Sequence, residues 1–205
     1  MPNCIVYNKG TPLHLENEIL IPNVGRESET YLQYILANYN QLPDVVVFTQ
    51  GRISDHVDYQ NYLKSYLFDN SKGYATYLVY LKNEALEKSK SQNFWMHHDV
   101  GKCNCFDKAW NIRGGGYFYL HDNYKKNQRM PFCEWFKKNI QDDYPNPICL
   151  YPNGIFAVTK ENILSNPLDY YEKLLLEVNH QVNPAEGHFF ERSWYYIFNM
   201  DKDKD

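Results

Sequence analysis

The sequence predicts an α/β fold, a single-domain sandwich over residues 1–199 around a mixed, largely parallel central sheet, with a charged tail at residues 200–205. Three observations predict it. Short apolar runs at residues 4–7 (CIVY), 45–48 (VVVF) and 154–158 (GIFAV) read as strands, because β-branched and aromatic side chains suit a pleated surface. Segments with apolar residues three and four apart read as amphipathic helices. Around Pro43 the order is helix, short turn, strand, which is that of an α/β unit.

The first strand stops at Asn8, Lys9 and Gly10, a turn-like group. Residues 11–25 read as a loop with one short extended piece at residues 19–21. In ESETYLQYILANYN, Tyr31, Ile35 and Asn38 share one side, with Leu32, Leu36 and Tyr39 close behind, so a helix is expected. Ser28 is expected to cap it, while Glu27 and Glu29 favour its positive end. Pro43 blocks continuation and sets up the VVVF strand, whose unbroken apolar run is expected to be covered on both faces. That strand delivers Thr49 to His56 to a sheet end, where open α/β folds place ligands.

Residues 56–68 fit a second helix, GYATYLVYL fits strand or helix, and residues 83–94 are helical in part. The glycine run 114–116 leads into an aromatic strand candidate at residues 117–120. PFCEWFKKNI reads as a helix with Pro131 in its first turn and a stripe of Phe132, Trp135, Phe136 and Ile140. Residues 160–164 form a short turn or helix. Residues 170–178 and 189–198 read as helices separated by NHQVNPAEGH. The DKDKD end alternates in charge and is expected to be solvated and disordered.

A chain of 205 residues can bury a sizeable core, and 43% hydrophobic with 22% charged residues fits a folded soluble protein. Nineteen tyrosines and four tryptophans suit polar clefts or interfaces, or reflect the same bias that makes the chain rich in Asn and Lys. A net charge of −4, an isoelectric point near 6.0 and the lack of a long basic run argue against nucleic acid as a partner. A local basic pocket for a small phosphorylated ligand is compatible with that charge. Cys4, Cys103, Cys105, Cys133 and Cys149 form an odd, sparse set, which points to a cytoplasmic or other reducing intracellular compartment. The start MPNCIVYNKG lacks the features of a secretory signal, and no transmembrane segment is expected.

Three clusters carry candidate chemistry. Asn23, Gly25, Arg26 and Glu27 precede the first long helix; a guanidinium beside a helix start suits phosphate or carboxylate, and Arg52 beside Gly51 suggests a shared anion pocket. The alternative is a salt bridge from Arg26 to Glu27 or a neighbour. His97, His98, Asp99, Cys103 and Cys105 are suitable zinc ligands, but Cys-x-Cys has no matching second pair, and adjacent histidines diverge on regular structure. Asp99 or His98 lining a cleft is the intermediate reading. Near the end, Glu186, His188, Glu191 and Arg192 stand before WYYIF. Glu191 is either a general base or a charge paired with Arg192.

Taken in order, Tyr7-Asn8-Lys9-Gly10, Asn23-Val24-Gly25-Arg26-Glu27, Leu42-Pro43-Asp44 leading into Val47-Phe48-Thr49-Gln50-Gly51, Gly154-Ile155-Phe156-Ala157-Val158, Tyr170-Tyr171 and Glu191-Arg192-Ser193-Trp194 span most of residues 4–198. In that combination the chain resembles a glycosyltransferase-like family and, more broadly, the nucleotide-sugar transferases of the A-type α/β fold. The resemblance implies a nucleotide-diphospho-sugar transferase-like sheet, a nucleotide-sugar donor and a carbohydrate or glycoconjugate acceptor. It implies Asn8 and Arg26 near the nucleotide, Gln50, Gly51 and Arg52 at the donor strand end, and His56 and Gly154 on the substrate side. Glu191 becomes the leading catalytic acid or base with Asp99 as the second catalytic candidate, and Arg192 a diphosphate or structural partner. A glycosyl group would move from its nucleotide diphosphate to an acceptor hydroxyl.

The chain departs from that family at one place. A-type transferases commonly carry Asp-x-Asp after the donor strand to hold Mn²⁺ or Mg²⁺, whereas Thr49-Gln50-Gly51 stands here and Asp55 and Asp58 are spaced more widely. Arg26 and Arg52 neutralising phosphate without metal, Asp99 supplying a ligand from another loop, or a fold that has lost catalysis are the three ways to accommodate this. A non-catalytic carbohydrate- or nucleotide-binding domain, and a zinc hydrolase using His97, His98 and Asp99, are the competing functions.

Overall fold

The computed structural model describes residues 4–51, 74–76, 129–144 and 156–198, with residues 74–76 described by backbone alone. Strand β1 (Val6–Asn8) runs parallel to β2 (Glu18–Leu20), with Val6 opposite Glu18 and Asn8 opposite Leu20. Asn8 itself organises the turn between them. Its amide donates to the Thr11 carbonyl at 2.7 Å and to Glu18 at 2.5 Å, while its side-chain oxygen accepts the Gly10 N–H at 2.8 Å.

Helix α1 (Arg26–Asn38) follows, and a 3₁₀ turn at Tyr39–Gln41 with Pro43 leads into β3 (Val45–Phe48). Ser28 does not cap α1 as expected. It lies inside the first turn, and its hydroxyl donates to the Gly187 carbonyl at 3.3 Å, so a tertiary contact has taken the oxygen a cap would use. Along β3, Val46 and Phe48 are buried while Val45 and Val47 remain 38% and 36% exposed, so burial is one-sided rather than on both faces. Alternate side chains of a strand point to opposite faces, and α1 covers the face that carries Val46 and Phe48.

β5 (Phe156–Thr159) lies between β3 and β4 (Tyr74–Thr76) and is antiparallel to both, with Phe48, Phe156 and Thr76 level with one another. The mixed, largely parallel central sheet expected from the sequence is therefore corrected. Among the described residues there are two separate sheets, a parallel pair β1-β2 and an antiparallel set in the order β3-β5-β4. Apolar patterning marks a strand but carries no direction. Direction here is set by β5 returning along β3, a run continued past the ladder where the Lys160 N–H donates to the Asp44 carbonyl at 2.9 Å.

Helix α2 (Phe132–Asn139) begins after Pro131 and buries Phe132, Trp135 and Phe136, as its stripe predicts. α3 (Lys160–Leu164) is capped by Thr159, whose hydroxyl oxygen accepts the Asn162 N–H at 3.4 Å. α4 (Leu168–Val178) and α5 (Ala185–Ile197) start after Pro167 and Pro184, where a missing N–H costs nothing. α5 thus begins at Ala185, well ahead of the predicted start at residue 189, and this places Glu186 and His188 on the helix.

The core lies where α1 and α5 cover the β3-β5 face. Tyr31 packs on Phe48 at 4.7 Å between ring centroids, Phe48 on Phe156 at 5.2 Å, and Phe156 on Trp194 at 5.4 Å. Phe190 continues the cluster from Trp194 to Trp135 of α2, at 5.3 and 5.0 Å. Each fully buried ring of this kind contributes about 1.5–3 kcal/mol over an exposed one. No described helix is long and apolar enough to cross a membrane. The helix expected at residues 56–68 and the charged tail lie outside the described residues.

Candidate functional site

The start of α1 is built on two successive left-handed residues, Gly25 at φ +64° and Arg26 at φ +54°. Glycine is required at the first. A Cβ at position 25 would lie 2.3 Å from the Glu29 Cβ and 2.9 Å from the Val178 carbonyl oxygen, and the Gly25 N–H is already given to the Gln181 carbonyl at 2.8 Å. Lys9 fastens the same turn. Its ammonium donates to the Val24 carbonyl, to the Arg26 carbonyl at 2.5 Å and to the Glu29 carboxylate at 2.7 Å.

Held this way, the Arg26 side chain crosses to α5. Gly187 makes room for it, since a Cβ there would lie 3.1 Å from the Arg26 Cδ. The guanidinium Nη1 donates to His188 Nε2 at 2.7 Å and reaches Asn183 Oδ1 at 3.4 Å, while its Nε lies 3.5 Å from Glu27. On α5, His188, Glu191 and Arg192 stand at i, i+3 and i+4, the spacing of one helical face. His188 Nδ1 lies 3.4 Å from Glu191 Oε2, Arg192 Nη1 lies 3.6 Å from the same oxygen, and Arg192 also donates to the His188 carbonyl at 2.8 Å.

These contacts select one state of His188. An imidazole that accepts from Arg26 at Nε2 must carry its proton on Nδ1, where it donates to Glu191. Burial pushes the His188 pKa below its ordinary value; the Glu191 hydrogen bond and charge oppose this, and the positive charges of Arg26 and Arg192 add to it. Burial alone would raise the Glu191 carboxyl, but the His188 hydrogen bond and the charges of Arg192, His188 and Arg26 outweigh it and hold it at about 2. Glu27 goes the other way. Burial pushes its carboxyl up, the Arg26 charge pulls it down, and the Glu191 charge raises it again.

Of the residues singled out in the sequence, Arg26, Glu191 and Arg192 meet in this network. Asn8 is engaged in the turn it organises. Gln50, half-buried, and Gly51, exposed, follow β3, whose Phe48 ring lies against Tyr31 and Tyr34 of α1. Arg52, His56, Asp99 and Gly154 lie outside the described residues, as do His97, His98, Cys103 and Cys105. Among the described residues no group of three or more His, Cys, Asp or Glu is placed to hold a metal ion.

His188 is the member that sequence reasoning left without a role. Its signal was the proline at 184, which marks a helix start early enough to bring His188, Glu191 and Arg192 onto one face. No curated protein and no solved structure matches the chain. A family model matches residues 3–204, so the chain belongs to the DUF3431 family, described as a protein of unknown function.

Proposed function

We propose that the protein transfers a glycosyl group from a nucleotide-diphosphate sugar to an acceptor hydroxyl. One observation carries the proposal: Arg26 and His188, 162 residues apart, are joined at 2.7 Å, with Glu191 and Arg192 alongside. The sequence resemblance gave Arg26 to the nucleotide and Glu191 to acid or base chemistry, and their junction through His188 supports it, while Arg52, expected to converge with them, lies outside the described residues. Arg26, 25% exposed and paired through its end to a neutral imidazole, is suited to meet a diphosphate and offset the charge that grows on it as the sugar leaves. Arg192, 7% exposed, is suited instead to bracing Glu191 and the His188 carbonyl.

A non-catalytic nucleotide- or carbohydrate-binding domain is the second reading. It is favoured by the Glu191 carboxyl, which at about 2 is firmly ionised and a weak proton acceptor. Thermal shift with UDP-glucose, UDP-N-acetylglucosamine and GDP-mannose, each with and without Mn²⁺, tests both, because a donor that binds only the folded state raises the melting temperature. Stabilisation by a donor together with release of its nucleoside diphosphate supports transfer. Stabilisation without release supports the binding domain, and no stabilisation by any donor overturns both.

A further inference from the structure

Glu191 is the carboxylate that the sequence singles out as acid or base, yet the geometry around it suits a different duty. Its Oε2 is shared between His188 Nδ1 at 3.4 Å and Arg192 Nη1 at 3.6 Å, two groups that stabilise the ionised form and lower its appetite for a proton. That arrangement fixes the imidazole tautomer and leaves Glu191 a positioning residue. A second carboxylate stands at the same junction. Glu27 occupies the first turn of α1, its side chain is 15% exposed, and among the described residues its ion pair is a long 3.5 Å approach to Arg26 Nε.

Resting on the transferase reading above, we propose that the Glu27 carboxylate, rather than Glu191, takes the proton from the acceptor hydroxyl. The acceptor oxygen forms its bond to the anomeric carbon, and the bond from that carbon to the diphosphate oxygen breaks. The electron pair of the broken bond leaves with the nucleoside diphosphate, and the hydroxyl proton passes to Glu27. Arg26, adjacent in sequence, would meet the departing diphosphate, so base and anion clamp are neighbours on one turn.

The charges facing Glu27 support this division of labour. Arg26 on its own helix and Glu191 on α5 act on it in opposite senses, and burial adds to Glu191 in raising its affinity for a proton. When a diphosphate neutralises Arg26, the Arg26 charge that restrains Glu27 is offset. Binding of the donor therefore strengthens the base that the transfer requires. Two carboxyls at one site pushed apart in this way are a recurring mark of separate proton-handling and charge-stabilising roles.

The test uses the full chain and water as acceptor, following UDP or GDP release from whichever of the three donors is turned over. Glu27→Gln is expected to keep the thermal shift with that donor while release falls about 100-fold or more. The rising limb of its pH–rate profile is expected to vanish, whereas Glu191→Gln retains a rising limb. Glu27→Asp, which keeps the carboxylate, is expected to recover part of the rate. Far-UV circular dichroism checks that each variant is folded, and if Glu27→Gln is not, a displaced pH limb in Glu27→Asp decides. Normal release by Glu27→Gln, or an unmoved limb in Glu27→Asp, overturns the role of Glu27 and leaves the transferase intact. Absence of donor binding and release in the wild type overturns the transferase, and the base with it.

Discussion

Two ionic networks share the first half of α5, and they are built on opposite plans. At Glu186, whose carboxylate is fully buried, Arg129 Nε donates at 3.1 Å, and His180 lies 3.7 Å from the other oxygen. Arg129 goes on to Glu177 at 3.0 Å, and Glu177 also takes Lys138 at 2.8 Å. Cations and carboxylates alternate there, and the network ties α2, α4 and α5 together. Two residues along, at His188, Arg26 donates its shortest contact to a neutral imidazole, which accepts a hydrogen bond but cancels no charge. The first network pairs each carboxylate closely with a cation, although Glu186 Oε2 makes no hydrogen bond among the described residues. The second leaves a partly exposed guanidinium whose ion pair among the described residues is a loose 3.5 Å approach to Glu27, with Glu191 acting on it at longer range, an arrangement compatible with an anionic ligand.

Three perturbations separate the two plans, in falling order of effect. Gly25→Ala forces a side chain into left-handed backbone and against Glu29, so it is expected to cost more than about 2 kcal/mol in urea unfolding and to release Arg26 from His188. A stability within error of wild type would show that α1 does not depend on that turn. Arg129→Ala leaves the buried Glu186 carboxylate without its main partner; because Arg129 is itself half-exposed, the loss is expected at about 1–3 kcal/mol, below that of a fully buried pair. Donor binding should be unaffected by it. An Arg129→Ala variant that loses donor binding would mean the first network belongs to the site.

The smallest effect is the pH dependence carried by His188. Its folded pKa lies below the ordinary value of 6.5, so on acidification the unfolded chain takes up the proton first. Stability contributed by the neutral imidazole is whole above pH 6.5 and is lost as pH falls from there through the folded value. Between pH 7 and pH 5, roughly the span of an unperturbed histidine, the slope of stability against pH is expected to be shallower in His188→Gln than in wild type. Equal slopes would show that burial beside Arg26 and Arg192 does not hold the imidazole neutral. Glu191 acts in the same sense further down, its contribution present above 4.5 and lost as pH falls through about 2.

Much of this was legible in local pattern. The stripes of Tyr31 and Ile35, and of Phe132, Trp135 and Phe136, mark helices because spacing of three and four is a property of the chain alone. The VVVF strand and the proline before it were equally local, as was the pairing of Glu191 with Arg192, one residue apart. Less legible were Ser28, which gave up its capping role to a carbonyl 159 residues away, and Val45 and Val47, whose exposure depends on which face of β3 the helices cover. The role of His188 needed both the proline that starts α5 and an arginine from the other end of the chain.

By itself, then, the sequence determined most of the helices and strands among the described residues, with the start of α5 missed by four residues, and which residue types were available for anion binding and proton handling. Tertiary structure decided the rest. Strand direction, and with it the two small sheets found among the described residues in place of one largely parallel sheet, comes from contacts between distant segments, on which side-chain periodicity is silent. The protonation states of His188, Glu191 and Glu27 likewise follow from burial and from charges brought together by folding, because an ionisable group responds to its neighbours in space and not to its neighbours in sequence.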